Sequence, residues 1–240
     1  MIQTIISFVK KMPILSEIYR FKKKRDEVTQ LRSMSAEELF TDVFKRKAWK
    51  TKESVSGYGS DLEQTEYIAL ELPKLFSAFN VSTLLDIPCG DFHWMNTVDL
   101  GDIKYIGADI VLGLILENKE KYKTNNIKFV HTNLIADELP KVDLIFCRDC
   151  LVHFSFKDIF RALERICNSG STYLLTTTFP NRLKNRNIVT GRWRTLNFEK
   201  TPFNFPKPLQ VINEHCEAED GRYRDKSLGL WRIKDIQKCL

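Results

Sequence analysis

Short apolar segments alternate with helical segments between residues 81 and 178, and this alternation constrains the fold more than any other feature of the chain. The apolar segments are continuous, as expected for strands that helices cover on both faces. The predicted strands are residues 81–87, 104–110, 128–130, 142–147 and 171–178, and the predicted helices between them are about 92–98, 112–122 and 157–168. The pattern predicts an α/β protein with a doubly wound, largely parallel sheet.

Further elements are predicted on either side of this region. Residues 209–212 and 228–233 are apolar and are joined by a charged connection, which favours an antiparallel hairpin at one sheet edge. Upstream, one helix is predicted over residues 36–48 with Ser35 as its N-cap, and another from Ser60 or Asp61 towards Phe76.

The net positive charge is confined to the first fifth of the chain. Residues 1–50 contain 12 Lys and Arg against 6 Asp and Glu, whereas residues 51–240 contain 25 of each. We therefore expect a basic N-terminal helical extension over residues 1–50 and a single electrically neutral domain over residues 51–240. The neutral domain argues against nucleic acid as a partner.

Residues 1–25 form a basic amphipathic segment. Apolar residues recur at helical spacing from Ile2 to Met12, Pro13 interrupts them, and four basic residues follow at 22–25. The apolar run is shorter than the roughly 18–20 residues that span a bilayer, and the charged start of a secretory signal is missing. Two interpretations stay open, contact with a membrane surface and packing on the domain or in a homodimer.

The six cysteines are spread through the chain, which favours a reduced, cytoplasmic protein, peripheral at the inner membrane surface if the extension binds lipid. Cys147 and Cys150 have the C-x-x-C spacing of redox and zinc sites. No second pair stands at metal spacing and Cys147 ends a predicted strand, so a packing role is favoured. A divalent metal held by Asp149 and other carboxylates stays open as an alternative, but the sequence shows no ligand triad and no metal is predicted.

The turn after the first strand is acidic. Residues 84–92 read LLDIPCGDF, where Asp86 ends the strand and Gly90 allows close approach of the backbone to a ligand. A dinucleotide turn needs several glycines to cradle a pyrophosphate, whereas Asp86 and Asp91 would repel it. The turn therefore predicts a cationic ligand, and the sulfonium and ammonium groups of S-adenosylmethionine meet that requirement.

Asp109 ends the second predicted strand, 23 residues after Asp86. A carboxylate at this position accepts hydrogen bonds from both ribose hydroxyls of an adenosine. The alternative is a turn or helix-cap aspartate.

Three segments together resemble class I S-adenosylmethionine-dependent methyltransferases: LLDIPCGDFHWM, YIGADI and VDLIFCRDCLVHFS. The resemblance covers about residues 54–240 and is closest to methyltransferases associated with surface-glycan biosynthesis, which share the SGxGS segment found here at 56–60. It implies a Rossmann-like seven-stranded sheet with helices on both faces and an antiparallel last strand. It also implies S-adenosylmethionine as methyl donor and S-adenosylhomocysteine as product. Pro88 stands where the common D/E-x-G-x-G-x-G signature has its first glycine.

The resemblance also implies which residues bind the cofactor. Asp86 and Gly90 correspond to residues around the methionine portion, and Asp109 and Ile110 to the ribose and adenine edge. Asn133 stands where many relatives have an aspartate near the adenine amino group, and an amide offers both donor and acceptor. The predicted cofactor-binding residues are Asp86, Pro88, Cys89, Gly90, Asp109, Ile110, Asn133 and Arg148.

A hydroxyl acceptor must lose its proton during methyl transfer, so a base is expected near the methyl group. His153 is the predicted base, with Asp149 four residues earlier as its orienter or as an alternative base. Two alternatives stay open: His153 caps the following helix, or His93 borders the pocket instead.

Residues 179–208 are too long for an ordinary connection, which favours a lid or binding loop. Arg192, Trp193 and Arg194 place two guanidinium groups around an indole, so these three residues are predicted to bind an anionic, sugar-containing acceptor. The alternative is a solvated charged loop. The SGYGS segment either folds over the cofactor, with Tyr58 and Ser60 in contact, or forms a flexible turn.

Together these observations predict a methyltransferase that acts on a hydroxyl of a sugar, a glycan or a nucleotide-linked sugar. Two alternatives stay open, an amine or phosphoramidate acceptor and a cofactor-binding partner module without catalysis. A nucleic-acid methyltransferase is disfavoured because the N/D-P-P-Y/F signature is absent, and an NAD-dependent oxidoreductase because the glycine turn is wrong for pyrophosphate.

Overall fold

The computed structural model describes residues 13–240 and divides the chain into two compact units, with the boundary between Ser35 and Ala36. The first unit contains helix α1 (Pro13–Ser33). Pro13 begins this helix, where its missing N–H leaves no hydrogen bond unmade. Residues 1–12, which carry the predicted apolar spacing, lie outside the described part of the chain. Across residues 13–240 no helix combines the length and the apolar character needed to cross a membrane.

The second unit begins at Ala36, whereas the sequence predicted a boundary near residue 50. Its first helix, α2 (Ala36–Lys45), ends three residues earlier than predicted. Helix α3 (Leu62–Ala78) follows Asp61 as predicted, but the Asp61 side chain does not cap it. Asp61 Oδ1 instead accepts a hydrogen bond from Thr51 Oγ1 at 2.5 Å.

Seven strands form one mixed sheet, as predicted. They are β1 (Thr83–Asp86), β2 (Lys104–Asp109), β3 (Ile127–His131), β4 (Leu144–Cys147), β5 (Tyr173–Thr178), β6 (Gln210–Asn213) and β7 (Ser227–Arg232). The strand order is β3-β2-β1-β4-β5-β7-β6, and among the strands of the described residues β7 alone runs opposite to the other six. The strand order reverses between β1 and β4, which is where open α/β sheets bind ligands.

Successive residues of a strand point to opposite faces of the sheet. Both faces therefore carry apolar side chains, and helices cover both of them. Leu84 of β1 belongs to one buried cluster and Leu85 to the other. The first cluster includes α3, and the second includes α5 (Phe156–Asn168). The remaining helices are α4 (Leu112–Tyr122) and the short α6 (Ala218–Gly221) and α7 (Ile233–Ile236).

The predicted helix at 92–98 was wrong. A single 3₁₀ turn at Met95–Thr97 takes its place. Phe92 has a positive φ of 56°, outside the helical region, and Phe92, Trp94 and Met95 are all buried. The irregular backbone allows these three closely spaced side chains to be buried together, whereas a regular helix would point them in different directions around its axis.

Several apolar residues of the predicted lid at 179–208 are part of the core. Leu196, Phe198 and Phe203 are fully buried, and the rings of Phe198 and Phe205 stack with centroids 5.1 Å apart. Trp231 of β7 donates its indole N–H to the Pro206 carbonyl at 2.8 Å. Burial of these large apolar side chains holds the segment against the sheet.

Candidate active site

A cavity of about 450 Å³ lies in the second unit at the carboxyl ends of β1, β2 and β4. All eight predicted cofactor-binding residues line it, as do the predicted catalytic pair His153 and Asp149 and the predicted acceptor residue Trp193. Arg192 and Arg194 are not among its lining residues.

Asp86 lies at the base of the cavity and is buried. The Tyr105 hydroxyl donates a hydrogen bond to its Oδ2 at 2.5 Å. Burial raises the pKa of Asp86 to about 8, although the bond from Tyr105 and the charge of Arg148 both lower it. The turn therefore contains a carboxyl group whose ionised form lacks full compensation from the protein.

Asp109 joins the turns that follow β1 and β2. Its Oδ2 accepts the Gly90 N–H at 3.1 Å, and its Oδ1 accepts the Val111 N–H at 2.9 Å. The Asn118 amide donates to the Gly90 carbonyl at 2.7 Å. Burial raises the pKa of Asp109 to about 6, against these backbone hydrogen bonds. The carboxylate is thus fixed in position at the edge of the cavity.

Residues 54–60, here called the strap, form one wall of the cavity through residues 55–60. Asp91 Oδ2 accepts hydrogen bonds from Ser54 Oγ at 2.9 Å and from the Val55 N–H at 2.8 Å. The Asp91 N–H donates to Ser56 Oγ at 3.1 Å. A Cβ on Gly90, which has a φ of 54°, would lie 2.3 Å from that hydroxyl. The strap therefore contacts the first turn directly, and Asp91 attaches it there.

Four charged side chains that line the cavity form a network next to the strap. Arg148 Nη2 lies 2.6 Å from Glu214 Oε2 and its Nη1 lies 3.6 Å from Asp149 Oδ2. Lys226 Nζ lies 2.5 Å from Asp149 Oδ2 and 3.2 Å from Glu214 Oε2. Burial by itself raises the pKa of Asp149, but Lys226 and Arg148 outweigh it and lower that pKa to about 2. Asp149 is ionised at neutral pH.

His153 stacks on Trp49, with ring centroids 4.8 Å apart, and both line the cavity. Burial lowers the pKa of His153 to about 4, while the charge of Asp149 raises it. The imidazole is therefore neutral at pH 7, the form that accepts a proton. The Asp149 carboxylate contacts Lys226 and Arg148, and within the described residues Nδ1 of His153 has no hydrogen-bond partner. Asp149 thus affects His153 through its charge and makes no orienting hydrogen bond to Nδ1.

The alternatives for His153 have different outcomes. Ser155, not His153, is the N-cap of α5, because its Oγ accepts the Asp158 N–H at 3.2 Å. His93 is not a lining residue of the cavity, and its Nε2 lies 4.0 Å from Glu53 Oε2.

Two of the predicted acceptor-binding residues, Trp193 and Arg194, have different surroundings. Arg194 is 1% exposed and donates to the Leu151 and Phe154 carbonyls at 2.9 and 2.7 Å. It stabilises the turn that carries His153, because those carbonyls flank it. Trp193 is 38% exposed and contacts Tyr223 edge-on, with centroids 4.9 Å apart, and both line the cavity.

Sequence reasoning missed Trp49, Glu214, Tyr223 and Lys226. A signal for two of them was present. Glu214 directly follows β6 and Lys226 directly precedes β7, and the two strands pair antiparallel with Asn213 opposite Ser227. Both residues therefore lie at the edge of the sheet where β1, β2 and β4 end.

Within residues 13–240 no group of three or more His, Cys, Asp or Glu side chains is arranged to hold a metal ion. Cys147 and Cys150 are both buried. The hydrogen bond with the Cys147 side chain and burial both raise the pKa of Cys150, so this thiol is not activated.

Neither the protein-family models nor the curated proteins give a match to this sequence. Solved structures share its fold. N-methyltransferase NodS from Bradyrhizobium japonicum WM9, in complex with S-adenosylhomocysteine, has a TM-score of 0.58 and 13% identity over 80% of this chain and 96% of that chain. Human N-acetylserotonin methyltransferase, in complex with S-adenosylmethionine, has a TM-score of 0.54 and 14% identity over 83% of this chain and 60% of that chain.

The methyltransferase domain of bacterial CtHen1 has a TM-score of 0.53 and 11% identity over 72% of this chain and 100% of that domain. At these identities the similarity shows the fold, which is that of class I S-adenosylmethionine-dependent methyltransferases.

Proposed function

We propose that this chain is an S-adenosylmethionine-dependent methyltransferase that methylates a hydroxyl of a sugar, a glycan or a nucleotide-linked sugar, as in surface-polysaccharide modification. One observation carries the proposal. Asp86 and Asp109, at the ends of β1 and β2, line the same cavity as His153 and Asp149, which follow β4. The fold supports the same activity.

The residues around the cavity fit the methyl donor. Asp109, Ile110 and Asn133 would hold its adenosine, and Asp86 and Gly90 would border the methionine portion. Burial raises the pKa of Asp86 to about 8, and a cationic ligand nearby would stabilise its ionised form. When bound, the donor supplies a methyl group activated by a positively charged sulfur.

The chain's own residues supply the proton chemistry and the positioning. The neutral imidazole of His153 accepts the proton of the acceptor hydroxyl, and the ionised Asp149 stabilises the imidazolium that results. The strap limits the access of water. Trp193 and Tyr223 offer aromatic surfaces for a sugar ring, which supports the choice of acceptor.

The first test is calorimetric titration of the full chain with S-adenosylhomocysteine. We expect binding by the wild type and a loss of about tenfold or more in Asp109→Asn, because each ribose hydrogen bond to a charged group is strong. Absence of binding by folded wild-type protein would overturn the proposal.

The second test is methyl transfer from labelled S-adenosylmethionine to a panel of sugars, nucleotide sugars and amines, with product mass spectrometry. We expect O-methylated sugar products and a turnover lower by about 10²-fold or more in His153→Asn. Methylation confined to amines would refute the hydroxyl acceptor and leave the methyl donor assignment standing.

A further inference from the structure

The two carboxylate oxygens of Glu214 have different surroundings, since Oε2 contacts two cationic side chains and Oε1 contacts none among the described residues. It lines the cavity and is 5% exposed. Its Oε2 accepts from Arg148 Nε at 3.2 Å and Nη2 at 2.6 Å, and it lies 3.2 Å from Lys226 Nζ. Its Oε1 is buried and has no hydrogen-bond partner within residues 13–240.

This arrangement is unusual for a purely structural ion pair. The guanidinium fork matches the two oxygens of a carboxylate, yet both Arg148 contacts converge on Oε2. A buried carboxylate oxygen without a donor carries a desolvation penalty, and a donor from a bound molecule would remove that penalty.

The surroundings of Glu214 indicate which donor fits. Lys226 and Arg148 lie beside it, and the strap lies directly over the network. A Cβ on Gly59 would come within 3.0 Å of Asp149 Oδ2 and 3.5 Å of Lys226 Nζ. The cavity therefore presents an unpartnered anionic oxygen beside two cations. An α-amino-acid group, which carries an ammonium and a carboxylate, has the complementary charges.

We propose that Glu214 binds the ammonium of the cofactor's amino-acid end through Oε1, with the carboxylate of that end on the side of Lys226. The inference rests on the proposed function and adds a binding residue to it. The resemblance assigned the methionine portion to Asp86 and Gly90. Asp86 Oδ2 already accepts a hydrogen bond from Tyr105, whereas Glu214 Oε1 is unengaged within the described residues.

Glu214→Gln is the informative variant. Its amide oxygen would stay towards Arg148 and Lys226, because both are donors. The amide NH₂ would then occupy the position of Oε1, where it can only donate. The change keeps the volume of the side chain and reverses the hydrogen bonding offered to an ammonium. Glu117→Gln, on the exposed surface of α4, removes one carboxylate elsewhere and is the matched control.

The experiment compares two ligands by calorimetry at one pH and one salt concentration. S-adenosylhomocysteine carries the amino-acid group, and 5′-methylthioadenosine is the corresponding thionucleoside without it. In Glu214→Gln we expect the affinity for S-adenosylhomocysteine to fall about ten- to hundredfold, with the affinity for 5′-methylthioadenosine unchanged. Glu117→Gln should match the wild type with both ligands. Circular dichroism and thermal unfolding verify that each variant is folded.

Each other outcome overturns the inference in a distinct way. An unchanged affinity for S-adenosylhomocysteine means that the ammonium binds elsewhere, and a selective loss in Asp86→Asn instead would identify that place. An equal loss for both ligands means that Glu214 only maintains the shape of the cavity. Failure of the wild type to bind either ligand would overturn the proposed function together with this inference.

Discussion

Asp91 and Ser54 are 37 residues apart in sequence and are joined by a 2.9 Å hydrogen bond from the serine hydroxyl to the aspartate Oδ2. The same oxygen accepts the Val55 N–H at 2.8 Å. Asp91 therefore attaches the strap to the turn that follows β1.

Asp91→Asn is expected to loosen the strap. The neutral amide oxygen can replace Oδ2 only as a weaker acceptor than the carboxylate. The amide NH₂ would then stand at the position of Oδ1, where Ser56 Oγ at 3.4 Å and the His93 N–H at 3.3 Å would lose their acceptor. We expect a fall of about 1–3 kcal/mol in the free energy of unfolding and weaker binding of S-adenosylhomocysteine. Urea denaturation and calorimetry measure the two effects. Asp102→Asn, at an exposed position, is the control, and wild-type values for Asp91→Asn would contradict the role of Asp91.

Asp86 is expected to make the protein less stable as the pH rises. Burial raises its pKa from 3.8 to about 8, so between these values the folded state binds a proton that the unfolded state does not. The stabilisation is complete below pH 3.8 and is lost as the pH rises through 8. Asp109, with a pKa raised to about 6, contributes with the same sign over a narrower range.

Asp86→Asn should therefore flatten this pH dependence. Relative to wild type, the variant should gain stability on the order of a few kcal/mol between pH 6 and pH 9. Urea denaturation at several pH values measures the difference, and Asp102→Asn is again the control. Parallel stability curves for Asp86→Asn and the wild type would show that Asp86 is ionised in the folded protein throughout this range.

Trp49 is expected to set the basicity of His153. The indole covers one face of the imidazole, and burial lowers the pKa of His153 to about 4. Since the neutral imidazole is the active form, turnover should rise with pH through this pKa and then level off. Trp49→Ala exposes the ring and should move the acidic limb of the turnover profile upward, towards 6.5.

The pH profile of turnover provides the measurement, and Trp49→Phe, which retains an aromatic ring, should stay closer to the wild type. An acidic limb unmoved in Trp49→Ala would argue that His153 is not the titrating base.

Arg194 and Trp193 are neighbours in sequence with different expected effects. Arg194 donates to two backbone carbonyls in the interior, so Arg194→Met should lower the free energy of unfolding by about 2–3 kcal/mol. Trp193→Ala removes a cavity wall and should raise the acceptor KM with little change in stability. Thermal unfolding and steady-state kinetics separate the two. A raised KM with unchanged stability in Arg194→Met would restore its predicted role in acceptor binding.

The sequence predicted the order of the elements well where local chemistry decides it. The continuous apolar runs at β1, β4 and β5 result from burial on both faces, which is a property of each segment. The helix predicted at 92–98 was wrong, and the burial of part of residues 179–208 was not predicted, because Phe92, Phe198 and Phe203 adopt their positions through packing with distant parts of the chain. Their aromatic character was visible, but their partners were not.

By itself the sequence determined the α/β class and the edge of the sheet where the cavity lies. The residue that follows a parallel strand is placed at that edge by the strand itself, as Asp86 and Asp109 are. Only the tertiary structure decided that Glu214 and Lys226 meet Arg148 and Asp149, and that Trp49 covers His153. These contacts join residues 66 to 104 positions apart, and no local pattern specifies them. The contacts of Glu214 and Lys226 also depend on β7 lying between β5 and β6.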